Sequence, residues 1–184
     1  MRLYLLRHGQ PDIAPGICYG GTDLTVPPQE HARVLSAALP LLPRQVPLYA
    51  SPLRRCRELA VQLAAALQAP TLIHDERLAE MHFGAWEMRA WDDIPRSEID
   101  AWANDLSAYR PGGGENVIEV ATRVRAFHTS LCDEDIDCAV VVCHAGTMRL
   151  LAQCGGEASI AAMAQNAAQE GHRFAYGEVL MLDC

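Results

Sequence analysis

The chain has 184 residues, half of them hydrophobic and 21% charged, and carries a net charge of −8. That length fits one domain spanning residues 1–184, and the composition is globular rather than disordered. The acidic balance argues against a general nucleic-acid binder, which needs excess Lys and Arg, but a few arginines in one pocket suffice for a small phosphorylated ligand.

In chain order, the apolar run Leu3-Tyr4-Leu5-Leu6 predicts a strand that delivers Arg7-His8-Gly9 at its end. Pro40 and Pro43 mark a helix stop and turn. Pro47 to Ala50 reads as a second strand, followed by a helix over residues 52–68. Leu53, Cys56, Ala60, Leu63 and Leu67 recur there at helical spacing, with Ser51 as N-cap and Pro52 at the first helical position. Thr71 to Ile73 is a further strand, and a third helix is expected over residues 91–107, carrying Trp91 and Trp102 across the sheet edge. After the flexible Pro111-Gly112-Gly113-Gly114, the spacing of Val117, Val120, Ala121, Val124, Phe127 and Leu131 predicts another helix. Ala139 to Cys143 repeats the opening pattern, an apolar strand that delivers His144-Ala145-Gly146, and Gly177 to Leu182 closes the chain as a strand. Apolar runs without polar alternation imply strands covered on both faces. The expected architecture is therefore a three-layer αβα sandwich around a mostly parallel sheet.

No apolar run approaches the roughly 20 residues that cross a bilayer, and the N-terminal one is too short for a signal-peptide core. The seven cysteines, Cys18, Cys56, Cys132, Cys138, Cys143, Cys154 and Cys184, form no C-x-x-C pair. An odd, scattered set suits reduced thiols in the cytoplasm, most of them small buried hydrophobes. No membrane partner is expected, and the cysteine and histidine spacings carry no zinc signature.

An Arg-His-Gly after a strand is, alone, more often a solvated strand end. Its repetition at His144 changes that, because parallel neighbouring strands about 4.8 Å apart would bring both histidines to the carboxyl edge of the sheet, where α/β folds bind ligands. A neutral His8 imidazole could attack phosphorus with one nitrogen while the other is held by a hydrogen bond. Arg7 offers a rigid donor fork for phosphate, and His144 could donate to a phosphoryl oxygen with help from amides of the following helix. Arg55 lies in the first turn of a helix, but its neighbours Arg54 and Arg57 compete with it on periodicity alone. Glu80 is a candidate general acid for the leaving oxygen, with Asp75, Glu76 and Glu87 as nearby competitors.

Four blocks in order resemble the histidine phosphatase superfamily, also called phosphoglycerate mutase-like. They are Leu6-Arg7-His8-Gly9-Gln10, Ser51-Pro52-Leu53-Arg54-Arg55-Cys56, Leu78-Ala79-Glu80 with Phe83-Gly84-Ala85-Trp86-Glu87, and Cys143-His144-Ala145-Gly146-Thr147-Met148-Arg149. The resemblance implies His8 as the phosphorylated nucleophile, Glu80 as proton donor, and Arg7, Arg55 and His144 around the phosphate, so it selects Arg55 over its neighbours. It implies no cofactor and no metal. Gln10 stands where a polar residue touches substrate, and Tyr19 and Gly20, in the block Cys18–Asp23, are further candidate substrate contacts. Leu59 stands where the family often has Thr, and Met88 replaces a Gly that usually follows Trp-Glu. Within the family the short length and the Cys18–Asp23 block look most like α-ribazole phosphatases, so the expected partner is a small phosphorylated metabolite, with a homodimer left open. A mutase of the same chemistry and a catalytically silent phosphate-binding module are the competing readings.

Overall fold

The computed structural model describes residues 1–134, 136–156, 158–171 and 174–183. Its sheet has five strands: β1 (Arg2–Arg7), β2 (Leu48–Ala50), β3 (Leu72–His74), β4 (Cys138–Cys143) and β5 (Val179–Asp183). They lie in the order β3-β2-β4-β1-β5, and every pairing is parallel except that of β5 with β1. Among the described residues six α-helices accompany them: α1 (Pro28–Ala38), α2 (Arg54–Leu67), α3 (Arg96–Asn104), α4 (Val117–Cys132), α5 (Ala145–Ala152) and α6 (Ile160–Gln169).

The alternation of side chains along β1 and β4 divides the core in two. Leu3, Leu5, Ala139, Val141 and Cys143 face a cluster built from α4, α5 and α6. Leu6, Val140 and Val142 join Leu48 and Ala50 against α1 and α2 on the other side. All ten of these side chains are fully buried, so the three-layer sandwich expected from the unalternating apolar runs is the observed one. A smaller cluster of Cys18, Trp86 and Ile94, with Trp102 and Tyr109 against it, sits apart from both. There Trp91 and Trp102 stack at 6.0 Å and 6°.

Three local expectations need correction. Helix α2 starts at Arg54, not Pro52, and Ser51 does not cap it: its first amide, that of Arg54, donates to Asp23 Oδ1 at 2.6 Å, a partner 31 residues upstream. The helix expected over 91–107 is interrupted, a 3-10 turn at Trp91–Asp93 followed by α3 from Arg96. The glycine segment 111–114 is a packed turn rather than a flexible one. Gly112 has φ +58°, and a Cβ there would lie 2.4 Å from the Phe83 carbonyl oxygen. Of the six cysteines among the described residues all are free thiols, four of them buried, and Cys184 lies outside those residues.

Met88, the residue standing in place of a glycine, has φ +63° and is half exposed. Its amide is tied to the Cys18 carbonyl at 2.8 Å, which holds the chain in a region that a Cβ disfavours. Met88→Gly is therefore expected to raise stability by about 1 kcal/mol in urea unfolding. An unchanged or lower midpoint would show that the left-handed backbone carries no strain here.

Candidate active site

Pairing of β1 with β4 sets Arg7 opposite Cys143. The next residue on each strand is a histidine, and the two rings meet with centroids 5.0 Å apart at 64°. Both are almost completely buried.

His8 Nδ1 lies 2.7 Å from the Gly9 carbonyl oxygen. A carbonyl only accepts, so Nδ1 carries the proton and Nε2 keeps its lone pair. Burial, then the Arg55 charge, pushes the His8 pKa well below the usual imidazole value, and the same two causes act in the same order on His144. Both rings are thus neutral near neutral pH, and His8 offers an unprotonated ring nitrogen.

Arg55 is the cation drawn inward: it is wholly buried, whereas Arg54 and Arg57 are exposed. Its Nη1 and Nη2 donate to the carbonyl oxygens of Thr22 at 2.8 Å and Gly20 at 2.5 Å, and its Nε donates to His144 Nδ1 at 3.2 Å. An arginine only donates, so His144 carries its proton on Nε2, which donates to Ser51 Oγ at 2.8 Å. Both His144 nitrogens are engaged, and a phosphoryl oxygen reaching this ring would displace Ser51 or Arg55. The buried Ser51 hydroxyl, expected as a helix cap, instead orients His144. Arg7 lies over the Tyr176 ring, 3.9 Å from its centroid, and donates to the Phe174 carbonyl. Its Nε is buried with no hydrogen-bond partner among the described residues.

The carboxylates separate by their partners. Asp75 is held by the Arg77 side chain, Glu76 is exposed, and Glu87 accepts the amides of Gly20, Gly21, Thr22 and Phe83. Burial opposes the charge on Glu87, but the Thr22 hydroxyl and backbone amides outweigh it and hold its carboxyl below the ordinary range. An acid kept ionised by so many donors has no proton to give. Glu80 is placed differently: its Oε2 accepts the Gly146 amide in the first turn of α5 at 3.1 Å. A Cβ at position 146 would lie 2.5 Å from Glu80 Oε1, so the glycine makes room for the carboxylate. This amide, expected at a phosphate, holds Glu80 instead.

Glu80, Ala145 and Gly146 form part of the wall of a cavity of about 380 Å³ whose remaining lining is mainly apolar, with Phe83, Trp102 and Leu150 among it. Tyr19 also lines it, and its hydroxyl pairs with that of Tyr176 at 2.7 Å. Gly20 is buried with its amide on Glu87 and its carbonyl on Arg55, so both of its backbone polar groups are taken. Gln10 is exposed, its amide donating to Glu30 Oε1 at 2.9 Å. Tyr176, unmarked by sequence reasoning, touches Arg7, Tyr19 and the His8 ring at 5.7 Å. It lies on the turn before β5, where only the closing strand carried a signal.

The family model described as histidine phosphatase superfamily (branch 1) matches residues 3–172. An adenosylcobalamin/α-ribazole phosphatase of Salmonella typhimurium is 33% identical over 159 residues, covering 82% of this chain and 77% of the relative. A metal-independent phosphoserine phosphatase of Arabidopsis thaliana is 28% identical, covering 81% and 66%. The crystal structure of the α-ribazole phosphatase from Shigella flexneri superposes with a TM-score of 0.80 at 26% identity, covering all of this chain and 90% of that one.

Neutral burial of the histidines has a consequence for stability. A group whose folded pKa is depressed binds fewer protons folded than unfolded, so acid favours the unfolded chain as pH falls below the ordinary imidazole value of 6.5. His128 is lowered as well, by burial and then by Arg125, and adds to the effect. The melting temperature is expected to be level above about pH 7 and to fall from there to about pH 5, before carboxylates contribute. The slope should shrink in His8→Gln. A flat profile across that window would mean the rings are not held neutral.

Proposed function

The chain belongs to the histidine phosphatase superfamily, and from that premise we propose that it hydrolyses a small phosphomonoester through a phosphohistidine formed on Nε2 of His8. The observation that carries the mechanism is the Gly9 carbonyl on His8 Nδ1 at 2.7 Å, which leaves the other ring nitrogen as a buried, neutral nucleophile.

His8 Nε2 attacks phosphorus, the bond to the ester oxygen breaks, and Glu80 in its acid form gives that oxygen a proton. Water then attacks the phosphohistidine, Glu80 takes its proton, and the P–N bond breaks to restore neutral His8. Three of the five N–H donors of Arg55 are engaged with protein, which leaves two for equatorial oxygens. The buried Nε of Arg7, without a hydrogen-bond partner among the described residues, is a further donor that an anion would satisfy. His144 takes part by fixing Arg55. Acceleration on this scheme is positioning and electrostatics, with no metal required.

The cavity beside Glu80, mainly apolar but with Tyr19 and Arg149 also on its wall, suits an aromatic-sized leaving group that carries some polar atoms. With relatives named α-ribazole phosphatase at 33% and 26% identity, α-ribazole 5′-phosphate is the first candidate substrate. The net charge of −8 likewise favours a metabolite over nucleic acid. No helix among the described residues is long and apolar enough to cross a membrane, and the free thiols support a cytoplasmic location.

His8→Ala is expected to abolish turnover while keeping a cooperative thermal transition, and mass spectrometry after alkaline quench should find phosphate on His8 of the wild type. Turnover by a clean His8→Ala preparation would overturn the assignment. In single-turnover measurements Glu80→Gln should slow phosphoenzyme formation from alkyl phosphates by about 10²- to 10⁴-fold but from p-nitrophenyl phosphate far less, because that leaving group needs no proton. Equal losses of phosphoenzyme formation on both esters would remove Glu80 as the acid. Trp102→Ala should raise KM for α-ribazole 5′-phosphate more than for phosphoserine, and matching changes would count against the cavity as the leaving-group site.

A further inference from the structure

Glu87 is the carboxylate that the proposed chemistry does not use, yet it has more hydrogen-bond donors directed at it than Glu80. Oε1 accepts the amides of Gly21 at 2.9 Å and Phe83 at 2.8 Å. Oε2 accepts the amides of Gly20 and Thr22, each at 3.1 Å, and the Thr22 hydroxyl. Five donors onto two oxygens is close to the capacity of an ionised carboxylate.

We propose that Glu87 is a positioning residue that sets the aim of the Arg55 guanidinium through the backbone of residues 20–22. The same residues that turn their amides to Glu87 turn the carbonyls of Gly20 and Thr22 to the two terminal nitrogens of Arg55. The Gly20 carbonyl and the Gly21 amide share one rigid peptide plane, so the amide held on Glu87 Oε1 turns that carbonyl toward Arg55 Nη2, while the Thr22 carbonyl is constrained through the amide and hydroxyl of its own residue on Glu87 Oε2. The segment is also packed closely against residues 81–83. A Cβ at Gly20 would lie 1.9 Å from the Met81 carbonyl oxygen, and one at Gly21 2.5 Å from the His82 ring. Held by the carboxylate and packed closely against residues 81–83, the loop is restricted in where it puts its carbonyls. Arg55 in turn donates to His144, so the position of Glu87 reaches the phosphate-facing donors through one loop and one side chain.

The test measures binding of inorganic phosphate by calorimetry, which needs no turnover. A protein that binds phosphate but fails to hydrolyse esters would sink the proposed function and leave this inference standing. Glu87→Gln keeps the size of the side chain but puts a donor where only acceptors serve. It is expected to weaken phosphate binding about tenfold. In an Arg55→Ala background the same change should alter binding less than about twofold, since the residue it aims is gone. Thr22→Val, which removes only the hydroxyl contact, should weaken binding about two- to threefold in the same direction and serves if Glu87→Gln does not fold. A lowered melting temperature with phosphate affinity intact in either variant would reduce Glu87 to a structural strut and overturn the proposal. Equal losses with and without Arg55 would overturn it too.

Discussion

Arg55 carries a full positive charge with no exposed surface, and the arrangement of the site follows from the need to solvate that charge with protein. Burying an ion costs several kcal/mol unless polar groups replace its water. Here the replacements are carbonyls of Gly20 and Thr22 and a neutral ring nitrogen of His144. Each brings its own requirement. The carbonyls demand a loop held close, which glycines at 20 and 21 permit and the Glu87 carboxylate anchors. The ring must stay unprotonated at Nδ1, which burial and the guanidinium itself enforce. A cation of this kind also depresses the pKa of His8. On the proposed mechanism, the group that would grip a phosphate therefore keeps the proposed nucleophile neutral before any phosphate arrives.

Much of this frame is legible in sequence because it rests on strand ends. The two apolar runs before His8 and His144 announce buried parallel strands, and their direct pairing needs nothing beyond the usual sheet geometry. Helices α2 and α4 show themselves by clean apolar spacing. Helix α1, by contrast, has only His31, Val34 and Ala38 buried. Helix α6, Ile-Ala-Ala-Met-Ala-Gln-Asn-Ala-Ala-Gln, buries Met163, Ala164 and Ala167, a face built mostly from alanine. In both helices the buried face lacks the large aliphatic side chains that mark α2 and α4.

What local pattern hides is contact between distant segments. Ser51 before Pro52 has the look of a helix cap, yet the amide that needs a cap takes Asp23 from another loop, and the serine is drawn to His144. Arg55 cannot be told from Arg54 and Arg57 by periodicity, because a helix turns only 100° per residue and all three lie in its first turns. The family pattern selects Arg55, and its complete burial gives the physical reason. Tyr176 precedes a strand on a turn with no period at all, and its three contacts at the site come entirely from tertiary packing.

Glu80 stands where two kinds of chemistry meet. Its carboxylate rests on the α5 amide of Gly146, and its side chain forms part of the wall of a cavity that is otherwise mainly apolar. A proton donor for a leaving oxygen must reach the one atom shared by the phosphate and the departing group. The phosphate half is confined by strand ends and a buried cation, which leave little latitude. The other half is bounded by side chains of the aromatic cluster and of α4, α5 and α6, of which Phe83 and Trp102 lie apart from the strand ends that carry the histidines. On the proposed mechanism, fixed grip and adaptable wall meet at a single carboxylate, so substrate range can shift by altering that wall while the proposed proton donor keeps its support on α5.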